Sequence, residues 1–217
     1  MENNRFSSIF WDFGGVITSS PFEAFNHFEK ENNLPNNLIR KINSTNHKNN
    51  AWALLEQSII SIDEFDDLFL KESLAMGAEI KGKDVLMLLK GKIRPKVVKI
   101  LKKFRELGFV QACLTNNFNS EGQDNSALDD ENIERLEILK IFDHVIESKI
   151  IGLRKPDLSF YQYALDSTSC DPKKTIFLDD LGINLKPAKS IGMSTIKVTS
   201  EKQLIDDLEK ILDFKII

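Results

Sequence analysis

The chain has 217 residues, 41% of them hydrophobic and 29% charged, which excludes a disordered, collagen-like or disulfide-stapled protein and suits one large domain or a core carrying an insertion. Acidic residues outnumber basic ones, 33 to 29, for a formal charge of −4, the wrong sign for a duplex-binding surface, so no nucleic-acid partner is expected. No apolar run approaches the roughly 20 residues of a membrane helix, the N-terminus lacks the pattern of a secretory leader, and Cys113 and Cys170 form neither a disulfide framework nor a metal-ligand spacing; a cytoplasmic protein without membrane contact is expected.

In chain order, Ser7 to Asp12 reads as a short strand. From about Pro21 to Lys92 the pattern turns helical, with no convincing strand. Phe22, Phe25 and Phe28 recur at helical spacing, Trp52 to Gln57 continues it, and Ser61-Ile62-Asp63-Glu64 fits a capping box. Pro95 to Leu107 sets Val97, Val98, Ile100, Leu101, Phe104 and Leu107 at helical spacing, and Gly108 follows as a stop. Strands are expected at Phe109 to Thr115, His144 to Glu147, Thr175 to Asp179 and Ser194 to Val198. Helices are expected near Ser159 to Asp166, Leu185 to Ile191 and Glu201 to Leu212, and the polar stretch Asn116 to Asp130 reads as a long loop. A strand, a helical block, then a run of β-α units predicts an α/β fold. Its Rossmann-like parallel sheet core takes residues 1–20 and 93–217, and an inserted helical cap takes 21–92.

Ligands of open parallel sheets bind beyond the carboxyl ends of the strands, so the residues ending each apolar run carry information. The first strand ends in Asp12 followed by Phe13-Gly14-Gly15; Ala112-Cys113-Leu114 ends in Thr115-Asn116-Asn117; and Ile176-Phe177-Leu178 ends in Asp179-Asp180. Arg154-Lys155-Pro156-Asp157 lies between the strand ending at Glu147 and the next helix. Such a set can build a phosphoryl-transfer site. Asp12 is the candidate nucleophile, Asp12, Asp179 and Asp180 the candidate Mg²⁺ ligands, and Thr115, Asn116 and Lys155 the candidate phosphate ligands, Lys155 also offsetting charge on the nucleophile. Each residue alone has a plainer reading: Asp12 and the acidic pair as helix caps, Thr115 as a strand-end hydroxyl, Lys155 as a surface lysine. His27, His47 and His144 show no ligand or triad spacing, Trp52 reads as cap core or a cavity wall, and Gly82-Lys83 and Gly91-Lys92 lack the spacing of a P-loop.

In these four segments and their order, the sequence resembles the haloacid dehalogenase (HAD) superfamily from about Ile9 to Val198. Phe177 to Ala188, with Leu114-Thr115-Asn116-Asn117 and Arg154-Lys155-Pro156-Asp157, is similar to the N-terminal phosphatase domain of soluble epoxide hydrolase and the N-terminal domain of some acyl-CoA dehydrogenase family members. The resemblance implies a HAD-like core with a closing helical cap, Asp12 as nucleophile, Mg²⁺ as cofactor, and the backbone carbonyl of Gly14 as a metal ligand. Gly14 is the departure, because most phosphatases of the superfamily have a second Asp there as general acid and then base. The implied function is Mg²⁺-dependent hydrolysis of a small phosphate monoester by a monomer or homodimer, with acid–base assistance reduced. Alternatives are a phosphate-binding regulatory module with little turnover and, further off, a haloacid dehalogenase.

Overall fold

A computed structural model describes residues 5–89, 91–117 and 130–216. Five strands form one parallel sheet in the order β3-β2-β1-β4-β5: β1 is Ser8–Trp11, β2 Val110–Thr115, β3 His144–Glu147, β4 Thr175–Asp179 and β5 Ser194–Lys197. Central β1 is in register with both neighbours, Trp11 opposite Cys113 on one side and Leu178 on the other. Successive side chains on a strand face opposite ways, and both faces of this sheet are covered. Ile9, Trp11, Cys113, Ile176 and Leu178 pack with α6 (Pro95–Glu106) and α11 (Glu201–Leu212), through Val97, Phe104, Leu204 and Leu208. Phe10, Ala112, Leu114 and Phe177 pack on the opposite face with α9 (Leu158–Thr168) and α10 (Gly182–Ser190), through Phe160, Tyr161 and Ala188.

Between β1 and α6 the chain makes five helices: α1 (Pro21–Glu31), α2 (Leu38–Ser44), α3 (Ala51–Glu56), α4 (Ile62–Ala75) and α5 (Gly82–Met87). They enclose a separate apolar cluster that includes Phe25, Ile39, Leu55, Phe65, Phe69 and Val85. The chain leaves and re-enters the sheet layer at one place. Thr18 and Ile93 form an antiparallel bridge, Ser19 N–H donates to the Lys92 carbonyl at 2.8 Å, and Arg94 N–H donates to the Ile17 carbonyl at 2.9 Å.

The expected strands are present within a residue or so at each end. Two helices run longer than their periodicity suggests: α9 spans Leu158–Thr168, and α10 begins at Gly182 with Pro187 inside it. The helix α7 (Asp130–Leu139) is unforeseen; it follows directly on the polar stretch read as a loop, and Ile133 and Leu136 on it stay exposed. A further short helix, α8 (Ser148–Ile151), follows β3. Of the loop expected over Asn116 to Asp130, residues 118–129 lie outside the described residues.

Candidate active site

β1 ends at Trp11, and Asp12 follows with its N–H donating to the Leu178 carbonyl at 2.8 Å. The carboxylate is therefore fixed between two strand ends, and it is 8% exposed. Its Oδ1 accepts from the Phe13 N–H at 2.7 Å and from Lys155 Nζ at 2.9 Å. Among the described residues Oδ2 has no hydrogen-bond partner.

Lys155, 1% exposed, bridges the two central strand ends: Nζ lies 2.9 Å from Asp12 and 2.7 Å from Asp179 Oδ2. Its backbone is clasped by one side chain, since Asn116 Oδ1 accepts from Lys155 N–H at 2.9 Å and Asn116 Nδ2 donates to the Lys155 carbonyl at 2.9 Å. Thr115, 6% exposed, ends β2 two residues beyond Cys113, the register partner of Trp11, and its hydroxyl has no partner among the described residues.

The acidic pair divides its work. Asp179 is fully buried; its Oδ1 accepts from Leu181 N–H at 2.8 Å, Oδ2 accepts from Lys155, and Asn184 Nδ2 donates to both oxygens at 3.1 Å. Asp180 is partly exposed, and its Oδ2 accepts from Ser20 Oγ at 3.0 Å, the residue that caps α1. Carboxylate oxygens of Asp12, Asp179 and Asp180 lie within 4.8 Å of one another.

Crowding shows in the electrostatics. Burial raises the Asp12 pKa well above the ordinary aspartate range; Lys155 opposes the rise, and Asp179 and Asp180 add to it. Asp180 is pushed up to about 6, by burial first and by Asp179 second. For Lys155 burial disfavours the charge, yet Asp12 and Asp179 outweigh it and raise the pKa, so the ammonium is retained. Three carboxylates facing one ammonium leave an excess of negative charge, which is the environment a divalent cation fits. Burial drives the Cys113 thiol far above its ordinary pKa, so no thiolate competes as nucleophile.

Gly14 carries no left-handed φ, and a Cβ there would meet nothing within 4 Å. At Gly15, with φ +75°, a Cβ would fall 2.2 Å from Asp180 Oδ2. The tight turn thus brings the backbone against the acidic pair.

The structure brings Asp12, Lys155, Asp179 and Asp180 into one cluster, with Asn116 clasping the lysine from behind. The sequence reading missed Asn184, Ser20 and Glu56. Asn184 sits in the Asp179–Ala188 stretch and was open to notice. Ser20 and Glu56 act across long chain separations and leave no local trace.

The family model for haloacid dehalogenase-like hydrolases matches residues 6–192. Acyl-CoA dehydrogenase family member 10 of Mus musculus is 31% identical over 215 residues, covering 96% of this chain and 19% of its own length. Bifunctional epoxide hydrolase 2 of Mus musculus is 28% identical over 213 residues, 93% of this chain and 38% of its own. The chain thus spans well under half the length of both. A glyceraldehyde 3-phosphate phosphatase of Methanocaldococcus jannaschii is 29% identical over 109 residues, 50% of this chain and 45% of its own. Among solved structures, a HAD-family enzyme from Bacteroides thetaiotaomicron, in complex with magnesium and inorganic phosphate, superposes with a TM-score of 0.58 at 20% identity, over 92% of this chain and 98% of its own.

Proposed function

The chain belongs to the haloacid dehalogenase-like hydrolase family, and we propose that it hydrolyses a small phosphate monoester with Mg²⁺ as cofactor. One observation carries this reading: a buried lysine and three carboxylates converge where β1 and β4 end, with the charge excess that a divalent cation and a phosphoryl group would balance. The likeness to a named phosphatase, and to a fold neighbour holding magnesium and phosphate, supports the same chemistry.

In this reading Asp12 is the nucleophile. Lys155 and the Phe13 N–H hold Oδ1, and Oδ2 attacks phosphorus. The bond to the leaving oxygen breaks with its electron pair staying on that oxygen, and Asp12 becomes an aspartyl-phosphate. Water then attacks phosphorus, frees inorganic phosphate and restores the carboxylate. Lys155 aligns Asp12 and offsets phosphoryl charge, while the Thr115 hydroxyl and the Asn116 backbone N–H take phosphate oxygens. Asn116 serves through its backbone because its amide is committed to Lys155 and Glu56.

Asp12, Asp180 and the Gly14 carbonyl would hold Mg²⁺, with Asp179 beside them mainly fixing Lys155. The cation supplies the charge neutralisation that lets an anionic nucleophile approach an anionic phosphoryl group. Gly14 has no proton to give the leaving oxygen, so weakly basic leaving groups are favoured. Residues 21–92 act as the cap over a core of residues 1–20 and 93–217.

A panel of aryl, alkyl and sugar phosphates, assayed with Mg²⁺ and with EDTA, tests the proposal through metal-dependent release of phosphate. Tight binding of Mg²⁺ and phosphate without turnover would favour the regulatory module, which Gly14 also suits. Failure to bind either sinks both readings.

A further inference from the structure

Glu56, at the C-terminal end of α3, is a buried residue on whose carboxylate and backbone carbonyl contacts from three core segments converge. Its Oε1 accepts from Trp52 Nε1 at 3.0 Å within the same helix. Its Oε2 accepts from Asn116 Nδ2 at 3.2 Å and is ion-paired with Arg154. The Glu56 backbone carbonyl accepts from Ser148 Oγ at 2.9 Å; that hydroxyl also accepts from the Asn117 N–H at 2.9 Å and approaches the Asn117 carbonyl at 2.8 Å.

Two short paths therefore join α3 to Lys155. One runs through Asn116, whose amide touches Glu56 and both backbone groups of Lys155. The other runs through Arg154, the residue before Lys155, which also donates from Nη1 to the His47 carbonyl of the helical block at 2.9 Å. The Arg154 and Glu56 side chains are only 12% and 11% exposed. Desolvating such a pair is costly unless further hydrogen bonds satisfy it; here they come from both the helical block and the loops, with Arg154 Nε left without a partner among the described residues.

We infer that Glu56 is a positioning residue that fastens the helical block to the loops carrying Asn116 and Lys155, so that seating α3 sets the geometry of the lysine. The inference rests on the reading of Lys155 as part of a phosphate site. No bond to phosphorus passes through Glu56; it acts on the lysine's backbone.

Glu56→Gln keeps the shape and removes the charge. Four measurements compare it with the wild type: thermal unfolding, amide hydrogen exchange, calorimetric binding of inorganic phosphate with Mg²⁺, and steady-state kinetics. Exchange is expected to quicken at residues 115–117 and 148–157 alone. Phosphate affinity and kcat are each expected to fall about tenfold in protein that remains folded. A purely structural ion pair would lower thermal stability and leave both unchanged in the folded fraction. In an Asn116→Ala background the Glu56→Gln losses should be less than additive, since one path is already cut.

Unchanged phosphate affinity in folded Glu56→Gln overturns the inference, whatever exchange shows. If the wild type itself binds no phosphate, the reading of the site fails, and the exchange data decide the fastening separately: unchanged protection at both loops overturns that too. Should Glu56→Gln not fold, the pair Glu56→Leu with Arg154→Leu leaves neither charge unpaired and is judged by the same readouts.

Discussion

A side chain at Gly14 would enter open space from an ordinary backbone conformation, whereas one at Gly15 would need a left-handed φ and would collide with Asp180. Gly14→Asp is therefore expected to fold. It should speed hydrolysis of alkyl phosphates by up to about 10², and that of aryl phosphates less, because the aryl leaving group needs little protonation. Phospho-enzyme formation and breakdown must be followed separately, and a folded variant unchanged in both steps would show that the site lacks nothing an acid could supply. Gly15→Ala should displace Asp180 and weaken Mg²⁺ binding about tenfold by calorimetry; wild-type affinity would remove Asp180 from the metal site. Asp12→Asn should abolish turnover, by a factor on the order of 10⁴ or more, while circular dichroism and unfolding show an intact fold. Residual activity near wild type would rule out the covalent route. At this scale, residues ending apolar runs were legible because strand ends announce themselves. Glu56 was not, because a single acid on a short helix reads as a solvated face until tertiary structure shows Arg154 and Asn116 against it.

The elements best read from sequence are those whose stability is local. The capping box is one: Ser61 Oγ accepts from the Glu64 N–H at 3.2 Å, and Glu64 Oε2 accepts from the Ser61 N–H at 2.8 Å. Ser61→Ala should cost about 1 kcal/mol and lower the melting temperature by roughly 2–4 °C. A null shift in thermal unfolding would mean that α4 is held by Phe65 and Phe69 in the apolar cluster rather than by its cap. The central strands β1, β2 and β4 were equally legible, since both faces of the sheet are buried there and their runs are largely apolar, while the edge strands β3 and β5 are half-exposed and carry only short β-branched runs. The helix α3 (Ala51–Glu56) falls within a residue of the helical stretch expected at Trp52 to Gln57, whereas α2 and α5, at seven and six residues, were not resolved individually. Pieces this short have no independent stability and exist through the cluster they share.

For the molecule as a whole, the carboxylate cluster ties stability to protons and, under the proposed function, to metal. Without metal, the folded form binds the Asp180 proton more tightly than the unfolded chain does. Its stabilising contribution is complete below the ordinary aspartate pKa and is lost as pH rises through about 6. Burial shifts Asp12 the same way. In EDTA the melting temperature should therefore decline across this window; with saturating Mg²⁺, which binds the ionised form, the decline should flatten or reverse. Parallel melts that do not differ between EDTA and Mg²⁺ would contradict a cation at this cluster.

The position of β1 at the centre of the sheet also bears on how the chain matures. Its β2 neighbour begins at Val110, and its other neighbour closes a loop in which the Ser8–Thr175 hydroxyl contact spans 167 residues. Emerging from the ribosome at about 5–20 residues per second, the nascent chain exposes a strand that is buried throughout in the fold for many seconds before either flank can be covered. The helical block, complete in sequence before β2 begins, can collapse alone in that interval. Chains arrested before β4 should then keep a folded helical block yet present an open edge at β1, and so depend on chaperones and aggregate when these are withheld.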